Sequence, residues 1–210
     1  MSLHLLFPTP VLVTDSPNQF EADHLELLNQ SYSVEAGSYG DFSTSKDTYI
    51  LNHCAKNLKS WIQQQINDYA VATLATTQSL KITQSWCLKH ENQVQKVFKH
   101  IHPNSIISGA YYVHAPAGTE SIKFHKNEVS TSAVIKWETD KELQASQPWS
   151  WEWYQVPVQT GRLVLFPSNV YHSVEGNNIN QNLRCVLSFN TWFEGPIGEE
   201  HHLFRLGAVA

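Results

Sequence analysis

The sequence has no excess of positive charge and no cluster of basic residues. Its 210 residues include 14 lysines and arginines against 19 aspartates and glutamates, which gives a formal net charge of -5 at pH 7. Surfaces dedicated to nucleic acid are normally basic, so this balance argues against that class of partner. Long apolar runs are also missing, since no stretch approaches the roughly 20 apolar residues of a membrane-spanning helix. We therefore expect a protein that binds neither nucleic acid nor membrane.

Cysteine is scarce, and none of it stands at the spacing of a metal site. Cys54, Cys87 and Cys185 are an odd number of thiols for a disulfide framework, so we expect reduced and mostly buried side chains, as in intracellular proteins. Residues 1–8 have no basic region ahead of their apolar residues and do not resemble a signal peptide. Both observations predict a cytoplasmic location.

The remaining composition, 41% hydrophobic and 16% charged, predicts a single globular domain over residues 1–210. Ser16-Pro17-Asn18-Gln19 has the pattern of a helix start with a capping box. Asn52 is expected to cap a second helix, which continues to about residue 72. Residues 35–50 are polar and glycine-rich, so they are predicted to form a loop.

From Leu80 onward the apolar residues recur with a period of two, which is typical of β-strands. With a short edge strand near the start, the predicted strands are 7–13, 80–88, 97–102, 108–114, 122–125, 134–137, 149–156, 163–166 and 183–193. Two helices followed by many short strands predict a mainly β protein with flanking helices (α+β), closed as a barrel or folded as a two-sheet jelly roll.

Three histidines form the first candidate site. His100 and His102 stand two residues apart in a predicted strand, where side chains at i and i+2 point to the same face. His172 follows the strand-like run 163–166. Imidazole suits zinc, copper, iron or nickel, and three protein ligands with open positions favour a catalytic metal over a structural one. We therefore predict that His100, His102 and His172 bind a metal ion.

A charged residue begins the last predicted strand. Alternation places Arg184, Val186, Ser188 and Asn190 on one face of that strand. An arginine directed into an apolar barrel is unfavourable unless an anion meets it, and its guanidinium fork fits a carboxylate. We expect a small dicarboxylate beside the metal, with the hydroxyl of Tyr112 on the same carboxylate. The alternative is an ordinary surface arginine on an edge strand.

The order and spacing of these motifs resemble the iron(II)- and 2-oxoglutarate-dependent oxygenases, and more narrowly a largely uncharacterised subgroup of that superfamily. The similar pieces are His-x-His-Pro-Asn-Ser from residue 100, Ser-Gly-Ala-Tyr-Tyr from residue 108, Leu-Phe-Pro-Ser leading to His172, and Arg184 leading to Ser-Phe-Asn. Loosely, the resemblance extends from residue 7 to about residue 193. It implies a double-stranded β-helix, that is, a jelly roll or cupin-like barrel with the metal inside.

The resemblance also implies an activity and a role for each site residue. The protein would be an oxidoreductase, a dioxygenase (hydroxylase) that uses Fe(II) and O2 to couple decarboxylation of 2-oxoglutarate to oxidation of a substrate that the sequence does not identify. His100 and His172 would bind the iron. Arg184 and Tyr112 would hold a carboxylate of 2-oxoglutarate, with Ser188 and Asn190 nearby.

One position departs from the superfamily pattern, which has aspartate or glutamate where this chain has His102. Either His102 is the second ligand and the site consists of three neutral imidazoles, or a carboxylate enters from elsewhere. Glu120 is the first acidic residue downstream and the outside candidate. Water or another anion is the third alternative. We prefer His102, because a strand brings it to the metal without rearrangement.

Two other functions fit parts of the sequence. A cupin-type metal enzyme without 2-oxoglutarate would also begin its first motif with His-x-His, but Ile106 and Ile107 stand where its glutamate is expected. A non-enzymatic β-sandwich module would bind carbohydrate on Trp149, Trp151 and Trp153, which alternate along one predicted strand. Arg184 distinguishes the cupin-type enzyme from the oxygenase, since only the 2-oxoglutarate hypothesis requires it. Exposure of the three tryptophans to solvent would favour the carbohydrate-binding module.

Overall fold

The structure is a computed structural model that describes residue 4 and residues 8–17, 19–37, 40–90, 96–126, 140–142, 151–175, 183–198 and 200–202. The helices are α1 (Glu21–Leu28) and α2 (Lys56–Leu74), with a short 3-10 turn at Ile50–Asn52. The strands are β1 (Leu12–Asp15), β2 (Tyr32–Gly37), β3 (Gly40–Ser45), β4 (Leu80–His90), β5 (Val97–His100), β6 (Ile107–His114), β7 (Ile122–His125), β8 (Trp153–Val156), β9 (Arg162–Pro167), β10 (His172–Val174) and β11 (Arg184–Phe193). The prediction of a mainly β protein with two helices is confirmed.

The strands pair antiparallel in the order β1-β9-β6-β11-β4-β3, and the ladder continues through β5-β10-β7-β8, with β2 paired to β3. Among the described residues, one register pair, Gly40 with Val97, joins the two parts of the ladder through β3 and β5. Side chains from both parts line one common cavity, so the two parts face each other as in a jelly-roll barrel.

Side chains alternate between the two faces of the β1-β9-β6-β11-β4-β3 part of the sheet, and each face belongs to a different hydrophobic cluster. On β6, Tyr111 and Val113 belong to the cluster that the two helices cover, whereas Tyr112 belongs to the cluster around the cavity. The helix-covered face is tightly packed at Gly109, where an added Cβ would lie 2.1 Å from the ring of Phe189. A residue without a side chain is therefore required at this point of β6.

The predicted helix starts are wrong. The first helix begins at Glu21 without a side-chain cap, and the Ser16 hydroxyl instead contacts the Tyr111 hydroxyl at 2.9 Å. The second begins at Lys56, after the 3-10 turn that contains Asn52. The backbone N–H groups in the first turn of α2 lack partners within the helix, and a side chain of α1 accepts from them. The Asp23 carboxylate accepts a hydrogen bond from the Leu58 N–H at 3.2 Å. The cap is a tertiary contact between two helices, so the local sequence does not contain it.

The loop predicted for residues 35–50 is also wrong. Most of this stretch belongs to the β2–β3 hairpin, and β3 pairs with β4 through Ser43 and Thr44. Pairing with a neighbouring strand overrides the weak strand propensity of a polar, glycine-rich sequence. The hairpin matters for function because Phe42 and Thr44 form part of the cavity wall.

Trp149 and the predicted strand 134–137 lie outside the described residues. The strand expected at 149–156 is shorter, Trp153–Val156, so Trp151 precedes it and stacks on Tyr154 with ring centroids 5.5 Å apart. Trp153 is exposed, and the Lys123 ammonium lies 4.0 Å from its ring centroid.

The three cysteines are free thiols, and Cys87 and Cys185 are buried, as predicted. In the part of the chain that the structure describes, neither helix has the length and apolar character needed to cross a bilayer.

Candidate active site

A cavity of about 680 Å³ lies between the two parts of the ladder. All seven site residues predicted from the sequence contribute to its wall, namely His100, His102, Tyr112, His172, Arg184, Ser188 and Asn190. Glu120 does not belong to the cavity lining. The structure therefore brings together residues that are up to 90 positions apart in the chain.

The three histidines converge, although not for the reason that the sequence indicated. Of the pair His100 and His102, only His100 is in a strand, because β5 ends there. His172 is the first residue of β10 and pairs with His100. His102 follows the strand end, and its backbone N–H donates to the Ser168 carbonyl at 2.9 Å. A contact with the β9–β10 connection thus places His102, rather than the alternation of a strand.

Hydrogen bonds fix the tautomer of all three rings. Nδ1 of His100 donates to the Phe98 carbonyl at 2.7 Å, and Nδ1 of His172 donates to the Val170 carbonyl at 3.0 Å. Nδ1 of His102 donates to the Asn190 side-chain oxygen at 2.6 Å. Since a carbonyl oxygen only accepts, each Nδ1 carries the proton and each Nε2 keeps its lone pair.

The Nε2 atoms of His102 and His172 face each other without a proton between them. Nε2 of His102 lies 3.2 Å from Nε2 of His172, and the ligand atoms of the three histidines lie within 4.8 Å of one another. Burial lowers the pKa of all three, that of His102 to about 4, so the rings are neutral near pH 7. Two imidazole ligands of one metal ion lie roughly 3 Å apart, so the triad fits a shared cation.

No carboxylate joins this triad among the residues that the structure describes. The group of side chains able to hold a metal there consists of His100, His102 and His172. Glu120 lies apart from it, and its Oε1 is buried without a hydrogen-bond partner. The described part of the chain therefore offers the metal three neutral ligands.

Arg184 is the second unusual feature of the cavity. It is 2% exposed, and its guanidinium carbon lies 5.2 Å from the centroid of the Tyr112 ring. Its Nε has no hydrogen-bond partner in the described part of the chain. Across the described residues, none of the carboxylates forms an ion pair with it. The Tyr112 hydroxyl is likewise buried and has no hydrogen-bond partner within the described ranges. Burial raises the pKa of Tyr112, so the hydroxyl keeps its proton to donate.

Such an arrangement is unfavourable on its own. A buried charge without a counter-ion costs several kcal/mol, and each unsatisfied buried donor adds about 1–3 kcal/mol. A carboxylate between the guanidinium and the Tyr112 hydroxyl would satisfy both groups. The donor set thus fits a ligand that carries a carboxylate and reaches the cavity beside the imidazoles.

Asn190 and Ser188 stand on the same face of β11 as Arg184. Besides the proton of His102, the Asn190 oxygen accepts one from the Ser108 hydroxyl at 3.0 Å, while its amide nitrogen donates to the Gln84 side chain at 3.3 Å. Asn190 is therefore engaged with a predicted metal ligand and its neighbours. Ser188 lies between Asn190 and Arg184 along the strand and is 8% exposed.

Two residues of β4 were missed in the sequence analysis. The Trp86 ring stacks on His102 with centroids 5.8 Å apart, and His90 contacts Arg184 with Nε2 3.5 Å from Nη1. The alternation of β4 places both on one face, but the contact of His90 with Arg184 depends on the pairing of β4 with β11. That register is not visible in a single sequence.

A barrel with a convergent imidazole triad and a buried cationic pocket for a carboxylate defines a metal-dependent enzyme that uses an organic acid. A family model described as "Putative 2OG-Fe(II) oxygenase" matches residues 84–190, just over half of the chain. The chain belongs to this family of iron- and 2-oxoglutarate-dependent oxygenases. The matched segment includes His100, His102, Tyr112, His172 and Arg184.

Solved structures of the same superfamily share the fold. The chain is similar to an oxidoreductase of the 2OG-Fe(II) oxygenase family from Burkholderia pseudomallei, with 9% identity, 86% of this chain and 84% of that chain covered, and a TM-score of 0.58. It is similar to a Trichoplax adhaerens prolyl hydroxylase in complex with a hypoxia inducible factor peptide, with 13% identity, coverages of 87% and 82%, and a TM-score of 0.59. It is also similar to the epimerase SnoN in complex with Fe3+, alpha ketoglutarate and nogalamycin RO, with 12% identity, coverages of 87% and 78%, and a TM-score of 0.60.

At these identities the likeness shows the double-stranded β-helix, which confirms the predicted fold. No curated protein matches the sequence. The family match confirms the resemblance stated from the motifs, and with it an oxidoreductase that uses iron and 2-oxoglutarate. It does not favour the cupin-type or carbohydrate-binding alternatives.

Proposed function

We propose that this protein is an Fe(II)- and 2-oxoglutarate-dependent dioxygenase in which His100, His102 and His172 bind the iron. Arg184 and Tyr112 bind the carboxylate of 2-oxoglutarate that is farther from the iron. The observation that carries the proposal is the buried Arg184 guanidinium, which has no carboxylate partner among the described residues and shares one cavity with the imidazole triad. A ligand with a carboxylate accounts for both features.

When bound, ferrous iron with 2-oxoglutarate and O2 would couple decarboxylation of the oxo acid, to succinate and carbon dioxide, to oxidation of a second substrate. The imidazoles would hold the metal through Nε2, since each Nδ1 is engaged with an oxygen acceptor. Three protein ligands leave coordination positions open for small molecules. The triad adds no negative charge, which distinguishes it from a site with two histidines and one carboxylate.

Arg184 and Tyr112 would orient the co-substrate. A guanidinium offers two parallel N–H donors to one carboxylate, and the Tyr112 hydroxyl donates a third hydrogen bond. Ser188 lies between Arg184 and Asn190 on the same cavity wall, within the space that the co-substrate would occupy. The apolar wall around them, which includes Val186 and Phe166, would keep water from the bound acid and strengthen these contacts.

We also propose a single domain over residues 1–210 and a cytoplasmic location. The three free thiols support the location, because a reducing compartment preserves them.

Asn190 supports the metal site without being a ligand itself, because its side-chain oxygen accepts the hydrogen bond from Nδ1 of His102.

The test is an anaerobic titration of the purified protein with Fe(II) and then 2-oxoglutarate. We expect a weak visible charge-transfer band that appears only when both are present. Arg184→Ala should lose the band at 2-oxoglutarate concentrations that saturate the unaltered protein. Arg162→Ala is the matched control, because Arg162 pairs with Asp15 at the barrel surface, and it should retain the band.

Absence of the band from the unaltered protein, or an undiminished band in Arg184→Ala, would contradict the proposal. Where the band appears as expected, metal analysis would identify the bound metal, and succinate release with candidate substrates would identify the substrate class.

A further inference from the structure

His90 is a buried histidine that neither the metal triad nor the cavity wall includes. It is 3% exposed, it is the register partner of Arg184 across the β4–β11 pair, and its Nε2 lies 3.5 Å from Nη1 of Arg184. The Phe42 ring stacks on its other side at 6.4 Å with an interplanar angle of 11°. His90 thus stands behind the guanidinium, between it and the β2–β3 hairpin.

The direction of the contact follows from the chemistry of the two groups. Arginine only donates, so Nε2 of His90 is the acceptor and the proton of the ring is on Nδ1. Burial and the adjacent Arg184 charge lower the pKa of His90 to about 3, so the ring is neutral near pH 7. The distance is long for a hydrogen bond, so the contact contributes orientation more than energy.

A neutral acceptor has a specific advantage at this position. A carboxylate there would form an ion pair with Arg184 and neutralise the charge that a ligand needs. An apolar side chain would leave Nη1 without any acceptor on that side. The His90 imidazole restrains one edge of the Arg184 guanidinium and leaves its positive charge available to a ligand in the cavity.

We propose that His90 is a positioning residue for 2-oxoglutarate binding: it accepts a hydrogen bond from Arg184 and orients the guanidinium toward the far carboxylate without neutralising it. This role rests on the proposed function of Arg184. His90 itself does not touch the co-substrate, because it is not part of the cavity lining.

Three substitutions at this position separate orientation from charge. His90→Gln keeps a neutral acceptor, His90→Glu has nearly the same size but is negatively charged, and His90→Phe keeps the stacking on Phe42 without an acceptor. We expect 2-oxoglutarate dissociation constants within about threefold of the unaltered protein for His90→Gln, about tenfold weaker for His90→Phe, and about a hundredfold weaker or more for His90→Glu.

The measurement is calorimetric titration of the Fe(II)-loaded protein with 2-oxoglutarate without oxygen, together with the Fe(II) dissociation constant of each variant. Iron affinity should stay within about threefold throughout, because His90 contacts none of the three histidines. Succinate release at saturating 2-oxoglutarate should be unchanged in His90→Phe, so that the effect is on KM and not on kcat. His24→Gln is the control, since His24 bonds Tyr111 on the helix-covered face.

Equal affinity in the Gln, Phe and Glu variants would overturn the role of His90 while leaving the proposed function intact. No binding of 2-oxoglutarate to the unaltered protein would overturn both. Where His90→Phe does not fold, the Gln and Glu variants decide the matter, since they are similar in shape and differ in charge. Equal binding by those two would contradict the role of a neutral acceptor.

Discussion

Tyr111 and Tyr112 are neighbours on β6 and both are fully buried, but their hydroxyl groups have opposite surroundings. The Tyr111 hydroxyl lies on the helix-covered side, 2.9 Å from the Ser16 hydroxyl and 2.7 Å from Nε2 of His24. The Tyr112 hydroxyl belongs to a residue of the cavity wall and has no hydrogen-bond partner among the residues that the structure describes. A protein interior normally satisfies such groups, so the unsatisfied hydroxyl supports the proposal that this face receives the ligand.

The same contrast runs along β11. Leu187 and Phe189 are completely buried in the cluster under the helices, whereas Arg184 and Ser188 stand on the cavity side. One face of each strand stabilises the fold, and the other carries groups that are unfavourable until something binds. Substitutions on the two faces should therefore affect different measurements.

The largest expected effect is on the helix-covered face. Phe189→Ala should lower the free energy of unfolding by about 3–5 kcal/mol, because it leaves a cavity against Gly109. Urea denaturation measures the loss. The fraction that remains folded should bind 2-oxoglutarate with unchanged affinity. A stable variant with impaired binding would break the separation of the two faces.

On the cavity face, Arg184→Met should weaken 2-oxoglutarate binding without lowering the free energy of unfolding. Removal of a buried charge that lacks a counter-ion should leave the free energy of unfolding unchanged or raise it, since apolar replacements of buried ionic groups are often neutral or stabilising. Affinity for 2-oxoglutarate should fall by about a hundredfold or more, since a buried charge-assisted pair is lost. Urea denaturation and anaerobic titration measure the two quantities. A destabilised variant would mean that Arg184 supports the fold.

A third substitution tests the support of the metal ligands. Asn190→Ala should weaken Fe(II) binding by about 10–100-fold, because it removes the acceptor at Nδ1 of His102. Competition with a chelating dye measures the affinity. Asn67→Ala on α2 removes a comparable amide that pairs with Gln63 and should have no effect on the metal. Equal affinities of the two variants would show that Asn190 does not orient His102.

The smallest effects are expected from removing one hydroxyl group, either that of Tyr111 or that of Tyr112. Tyr111→Phe should lower the free energy of unfolding by about 1–2 kcal/mol and leave co-substrate binding unchanged, because only the contacts to Ser16 and His24 are lost. Tyr112→Phe should leave stability unchanged and weaken 2-oxoglutarate binding by about tenfold or less. Both quantities are measured on both variants. Reversed or equal profiles would contradict the assignment of the faces.

Alternation along β6 and β11 made part of this predictable. A period of two placed Arg184, Ser188 and Asn190 on one face, and His172 was expected just after a strand. His100 was expected inside a strand that continues to residue 102, whereas β5 ends at His100. These inferences need only local geometry. The neutral acceptors at each Nδ1 and the role of Asn190 required coordinates, because they depend on which segments meet.

Tertiary contacts account for what the sequence did not predict. The β2–β3 hairpin forms because β3 pairs with β4, although its sequence is typical of a loop. The cap of α2 comes from Asp23 on another helix, and His90 meets Arg184 only through the β4–β11 register. His102 is held by Ser168 rather than by a strand. Each of these depends on a partner at least 34 positions away.

The most direct test is a crystal structure of the protein prepared without oxygen with Fe(II) and 2-oxoglutarate. We expect one iron bound by Nε2 of His100, His102 and His172, with the far carboxylate of the acid on Arg184 and the Tyr112 hydroxyl. Iron that binds a carboxylate such as Glu120 in place of His102, or a 2-oxoglutarate molecule directed away from Arg184, would contradict this assignment.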